Sequence, residues 1–331
     1  MPDKSPTRRP NMRRMILPAA AAAVTLLAST ACGGGQDGGG GDSGGPQKIK
    51  VGAIPIVDVA PLHLGLDQGI FEKHGIDMEI QNTTGGAQAV PSVVSGEFDF
   101  AFGNITSIIV GRSNDLPLTI VANGVTSTGE QGADFGGVVV PEGSDISDAK
   151  GLEDKTIAVN NLENIGDTTV RNSIRKAGGD SDTVEFVELP FPEMPAALER
   201  GDVDAAWVVE PFLTASLNNG ATEVASNFVD ADPNLSVAYY FTTEQIVNQD
   251  PELVDNFTAA VNESLTYAEE NPDEVRRILG EYTEMDSATI EKIRLPRWPT
   301  DGYKKPAQSI ADLMMHDGVI EKQPDMDKLF Q

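Results

Sequence analysis

Two hydrophobic periods alternate along this chain. Residues 48–54 begin as polar–apolar alternation and predict a strand. Short apolar or β-branched runs at 76–81, 100–102, 118–122, 135–140, 155–159, 184–189, 205–209, 223–225 and 236–242 predict further strands. Helical stretches fall between them at 60–68, 87–95 and 167–176, and before Gly201. From Pro251 onward the pattern turns helical, at 251–270, 272–282, 287–293 and 305–317. Strands separated by helices predict an α/β fold with parallel sheets.

One phrase occurs twice. Residues 194–212, MPAALERGDVDAAWVVEPF, read as a helix, a glycine stop at Gly201 and a buried strand ending on Glu210-Pro211. Residues 91–105, PSVVSGEFDFAFGNI, repeat the order, with Gly96-Glu97-Phe98-Asp99 matching Gly201-Asp202-Val203-Asp204. Two copies of one unit imply two similar lobes, and facing strand mouths imply a cleft. Ligands of open α/β sheets lie beyond the carboxyl ends of the strands. The chain is expected to cross between lobes twice, near residues 136–140 and 236–240. Lobe 1 then comprises 48–138 with 238–331, and lobe 2 comprises 139–237.

The front of the chain changes the picture. Lys4, Arg8, Arg9, Arg13 and Arg14 precede an apolar run from Met15 to about Leu27, too short for a comfortable membrane span. Residues 1–31 therefore read as a signal peptide. Ser29-Thr30-Ala31 lead to Cys32, the sole cysteine, which excludes an internal disulfide framework. Residues 33–46, GGGQDGGGGDSGGP, suit a flexible tether, so 32–47 is assigned as anchor and tether. The junction resembles a bacterial lipoprotein signal with lipidation at Cys32, departing from it at Ser29. Arg13-Arg14 also resembles a twin-arginine export signal, so the export route stays open. The 331 residues carry 24 basic and 51 acidic side chains, net −27, which disfavours nucleic acid and anionic lipid as charge partners.

The pieces, in order, resemble extracytoplasmic solute-binding proteins of ABC importers, in the nitrate/taurine/sulfonate branch that includes thiamine-pyrimidine binders. VGAIPIVDVAPLHLGLDQGIFEKHGIDMEI, VVSGEFDFAFGN, DAKGLEDKTIAV, ALERGDVDAAWVVEPF and SIADLMMHDGVI carry the resemblance, across about residues 48–325. It implies a two-lobed periplasmic-binding-protein-like fold of type II, with two hinge crossings and a ligand cleft between lobes. It also implies a small-molecule ligand and a permease with its ATPase as partner; no cofactor, no metal and no catalysis are expected. A monomer held to the outer face of the cell membrane by lipid alone is expected. A ligand-sensing ectodomain for a signalling partner, or an enzyme on the same fold, are the alternatives. The family's contacts would map to Pro55, Asp58, Thr84, Gly85, Gly86, Gly103, Asn104, Asn160, Asn161, Asp167, Thr168 and Glu210.

Each of these has a plainer reading. Glu210 is either a ligand acceptor or a lobe-closing salt bridge. Asp167 is an N-cap or a contact. Asn104 and Asn160 bond a ligand or satisfy turns. His63 and Trp298 reach the cleft or pack away from it, and Trp207 reads as lobe core. No H-E-x-x-H, P-loop or G-x-S-x-G occurs. No lysine or arginine falls at a strand mouth, and Arg171 comes nearest. The mouths instead carry carboxylates and amides. That set is expected to suit a neutral or cationic nitrogen-containing organic molecule, such as a pyrimidine, with Glu210 accepting its N–H.

Overall fold

The computed structural model describes residues 45–330 apart from 302 and 303. The signal peptide, Cys32 and nearly all of the tether lie outside the described residues.

Among the described residues, ten strands form two five-stranded sheets. The first holds β1 (Gln47–Ala53), β2 (Ile76–Asn82), β3 (Phe100–Asn104), β4 (Leu118–Thr126) and, last in the chain, β10 (Ser236–Thr243). Its order is β2-β1-β3-β10-β4, with β10 antiparallel to both neighbours. The second holds β5 (Gly136–Val140), β6 (Thr156–Val159), β7 (Glu185–Glu188), β8 (Ala205–Val209) and β9 (Thr222–Ala225), ordered β7-β6-β8-β5-β9. Here β5 is the antiparallel member. Each sheet thus has one topology: three parallel strands, then an antiparallel strand delivered by a crossing, then an edge strand. This is the two-lobed α/β architecture expected from the sequence.

The crossings fall slightly earlier than expected, at residues 127–135 and 232–235. Residues 136–140 lie wholly in the second sheet and 236–243 wholly in the first. An apolar β-branched run shows that a strand forms, but not which sheet receives it. The crossings are tied together by Ser127 N–H donating to the Leu235 carbonyl at 2.9 Å. Buried Asp134 organises the first by accepting from Ser127 Oγ, Thr128 N and Phe135 N.

The repeated phrase has a structural reason. Gly96 and Gly201 both adopt left-handed φ, 77° and 72°, and end the preceding helix. Three residues later, an aspartate grips the first strand of its own sheet. Asp99 Oδ2 accepts from Lys50 N of β1 at 2.8 Å, and Asp204 Oδ2 accepts from Thr156 N of β6 at 2.9 Å. The register of each sheet's central pair is set at that end, away from the cleft.

The long helix Pro251–Glu270 covers the first sheet. Leu253, Val254, Phe257, Ala260, Val261, Ser264, Leu265 and Ala268 are its buried face, at helical spacing. Phe257 stacks on Phe100 with centroids 3.9 Å apart and meets Phe71 and Tyr240 at 6.1 and 6.0 Å. Truncation by Phe257→Ala should cost about 3–5 kcal/mol, read as a lower urea midpoint at unchanged slope. An unaltered midpoint would show that this aromatic cluster does not hold helix to sheet.

Candidate functional site

The carboxyl ends of the parallel strands in both sheets meet at one cavity. From the first lobe it is lined by Ile54, Ile56 and Asp58 after β1, Gly85 and Gly86 after β2, and Phe102, Gly103 and Asn104 at the end of β3. Val237 and Ala238 enter from β10. From the second lobe come Asn160, Ile165, Phe191, Trp207, Val209 and Phe228. The lobes are drawn together, and the space open to the centre of a water molecule is about 30 Å³.

Hydrogen bonds across the cleft explain the closure. Val57 N donates to the Glu210 carbonyl at 3.1 Å. Asn104 Nδ2 donates to Asn164 Oδ1 at 2.7 Å, and Asn164 Nδ2 donates to Ser107 Oγ at 2.9 Å. Asn160 Nδ2 reaches the Thr84 carbonyl at 3.4 Å. Farther out, Arg175 pairs with Asp317 at 2.6 Å. A glycine is required at 85: φ is +153°, and a Cβ there would stand 2.4 Å from Asn161 Oδ1.

The sequence-predicted residues separate into two sets. Asp58, Gly85, Gly86, Gly103, Asn104 and Asn160 line the cavity. Pro55, Thr84, Asn161, Asp167, Thr168 and Glu210 surround it without lining it. Asn104 does two jobs: its Oδ1 caps the helix Ile105–Ser113 through Ser107 N at 3.0 Å, while its amide nitrogen crosses the cleft. Thr84 is exposed and bonds Gln88. Asp167 closes a capping box, accepting from Glu163, Asn164 and Thr168 backbone N–H groups at 2.6–2.9 Å. Asn161 Oδ1 and Thr168 Oγ1 are buried without partners.

Glu210 is fully buried, but its carboxylate accepts from Thr214 N and Oγ1 and from Arg294 N. All three donors are protein groups, so the expected acceptor for a ligand is already engaged. Burial raises its pKa, and those bonds partly offset the rise. Arg171 is also turned away, donating to the Ser181 carbonyl and lying over the Phe186 ring.

His63 stacks on Tyr282 at 3.8 Å, and burial pushes its pKa down to about 4. Trp298 is buried and donates its indole N–H to the Asp58 carbonyl, fixing the β1 loop from behind. Neither ring lines the cavity. Trp207 does, with its indole nitrogen unpartnered. Sequence reasoning assigned it to the core and missed Phe102, Phe191 and Phe228 as lining. The available signal was strand periodicity, since Trp207 and Val209 share a face of β8.

Asp58 stands apart electrostatically. Desolvation carries its pKa from 3.8 up to about 8, helped by the Asp134 charge and opposed by a backbone hydrogen bond. Asp58 in turn raises the pKa values of the Tyr240 and Tyr282 hydroxyls, which burial has already raised.

Residues 56–275 match the family model described as NMT1/THI5 like. The chain belongs to the NMT1/THI5-like family. Among its relatives, a putative aliphatic sulfonates-binding protein of Bacillus subtilis (strain 168) is 23% identical over 277 residues, 81% of each chain. The formylaminopyrimidine-binding protein of Halalkalibacterium halodurans is 24% identical over 238 residues, 70% of this chain and 68% of that one. The alkanesulfonate-binding protein SsuA of Xanthomonas axonopodis pv. citri, solved with bound MOPS, superposes with TM-score 0.74 at 16% identity, covering 87% and 99%. This NMT1/THI5-like chain therefore has the periplasmic-binding-protein fold.

The Asp58 shift gives a pH dependence of definite sign. Between its unfolded value of 3.8 and about 8, the closed form holds a proton that open or unfolded forms release. Stability of the closed form falls as pH rises through that window. Asp167, raised to about 6, makes folding stability fall in the same direction in the lower part of that window. Without solute, the radius of gyration from solution scattering should grow between about pH 5 and 9. Asp58→Asn should abolish the part above about pH 6. A flat profile in the parent protein would contradict the assignment.

Proposed function

We propose that this chain receives a small molecule outside the cytoplasm and hands it to an ABC permease and its ATPase. The observation that carries the reading is the cavity at the facing strand mouths, with polar atoms of Asp58, Asn160 and Trp207 left without partners inside it. Buried polar groups are ordinarily hydrogen-bonded, so unpartnered polar atoms at the facing strand mouths suit a ligand that arrives and leaves. The two crossings allow the lobes to part, and the bonds between Asn104, Asn164 and Ser107 give closure a defined end point. Binding energy then shifts an open–closed equilibrium.

The proposal includes export by residues 1–31 and an anchor at Cys32, with the glycine tether leaving a monomeric body free to reach its permease. The tether composition and the basic, then apolar, leader support this. Among the described residues no helix is long and apolar enough to cross a membrane.

Solute released by denaturing protein purified from its own host should be identifiable by mass spectrometry. A strain lacking the gene should lose high-affinity uptake of that solute. Uptake at the parental rate would overturn the transport reading. Cys32→Ala should move the protein from the membrane fraction to the soluble fraction without lowering its melting temperature. Retention at the membrane would remove the lipid anchor.

A further inference from the structure

Four acidic residues are buried among the described residues, and the protein satisfies the carboxyls of three of them. Asp134 accepts from Ser127, Thr128 and Phe135, Asp167 from three backbone N–H groups, and Glu210 from Thr214 and Arg294. Asp58 is the exception. It is 3% exposed and lines the cavity; a backbone hydrogen bond offsets part of its desolvation, but its Oδ1 has no hydrogen-bond partner.

The surroundings add no positive charge. Among the described residues, no lysine or arginine lines the cavity. Arg171 is held by Ser181 and Phe186, and Arg294 by Glu223 and the Asp134 carbonyl. The groups that interact with Asp58 through their charges are Asp134, Tyr240 and Tyr282. The Tyr240 hydroxyl is itself unpartnered, and the Tyr282 hydroxyl donates to the Ile56 carbonyl. The remaining walls are largely apolar, with the four aromatic rings of Phe102, Phe191, Trp207 and Phe228 set among aliphatic side chains. Aromatic faces attract cations, more strongly when water is excluded. A carboxylate out of water needs a counter-charge with good hydrogen-bond geometry.

We propose that Asp58 is the recognition group for a small organic nitrogen cation. The class is an amidinium, guanidinium, protonated amine or protonated aminoheterocycle, whose N–H donates to the Asp58 carboxylate while its flat or apolar body lies among the four rings. The inference rests on the solute-receiving reading and adds the sign of the solute's charge. It also moves the ligand-acceptor role from Glu210 to Asp58. A sulfonate or nitrate would meet a carboxyl, three like-signed or neutral neighbours and no fixed cation.

A matched series on one ring tests this: benzamidine, benzamide and benzenesulfonate, titrated by calorimetry and by tryptophan emission. The expected order of affinity is benzamidine, then benzamide, then benzenesulfonate. Asp58→Asn should weaken benzamidine at least about tenfold while leaving benzamide within a few-fold. The folded state of the variant is checked by its urea midpoint. Tighter binding of benzenesulfonate, with Asp58→Asn neutral, would show a protonated Asp58 donating to an anion and would overturn the inference. So would benzamidine binding that ignores the substitution, or no binding of any of the three at millimolar concentration. None of these results touches the solute-receiving reading, which the solute released from purified protein decides separately.

Discussion

A carboxyl taken out of water without a hydrogen bond or counter-charge is destabilised by several kcal/mol, or else keeps its proton. Asp58 comes close to that condition: its Oδ1 is buried without a partner, and a backbone hydrogen bond offsets only part of its desolvation. The lobes close because amides and backbone groups on facing strand mouths complete one another, through Asn104, Asn164, Ser107 and the Val57–Glu210 link. Closure and the discomfort of Asp58 therefore oppose each other. A solute that satisfies the carboxyl removes the opposition, which is a direct physical route from occupancy to shape.

The rest of the architecture keeps that conflict local. Helix, left-handed glycine, aspartate and strand are used twice, so that Asp99 and Asp204 fix the central strands of each sheet at the end remote from the cleft. With the far ends fixed, the mouths can be irregular and glycine-rich without loosening the sheets. Asp134, Asp167 and Glu210 bind the hinge, a helix cap and the Arg294 backbone respectively. Trp298 reaches the Asp58 carbonyl from behind, so the loop bearing the free carboxyl is itself well anchored.

Much of the fold was legible in the sequence because its signals are local. Pro251 and Pro272 open helices, Gly96 and Gly201 close them, and apolar runs mark the strands. The crossings were misplaced because sheet membership is a long-range property that residues 136–140 do not carry. The site was partly legible. Strand mouths named Asp58, Gly85, Gly86, Gly103, Asn104 and Asn160, but sequence alone ranks carboxylates by position, not by partner. Glu210 stood at the more conspicuous mouth, although Thr214, four residues on and one helical turn away, was able to occupy it. Asp58 drew less notice because lacking a partner leaves no mark in a sequence. The aromatic walls were missed because a tryptophan in an apolar strand has the same local pattern whether it faces core or cleft.

The central claim is that solute occupancy drives the two lobes from apart to together. The most direct measurement is the distance between spin labels at Val94→Cys and Asp182→Cys, exposed positions on opposite lobes, in a Cys32→Ala background by pulsed electron resonance. At about neutral pH the account predicts a broad or bimodal distribution without solute. Saturating solute, as released from the purified protein, should give a single shorter distance. The same distribution in both conditions would contradict it.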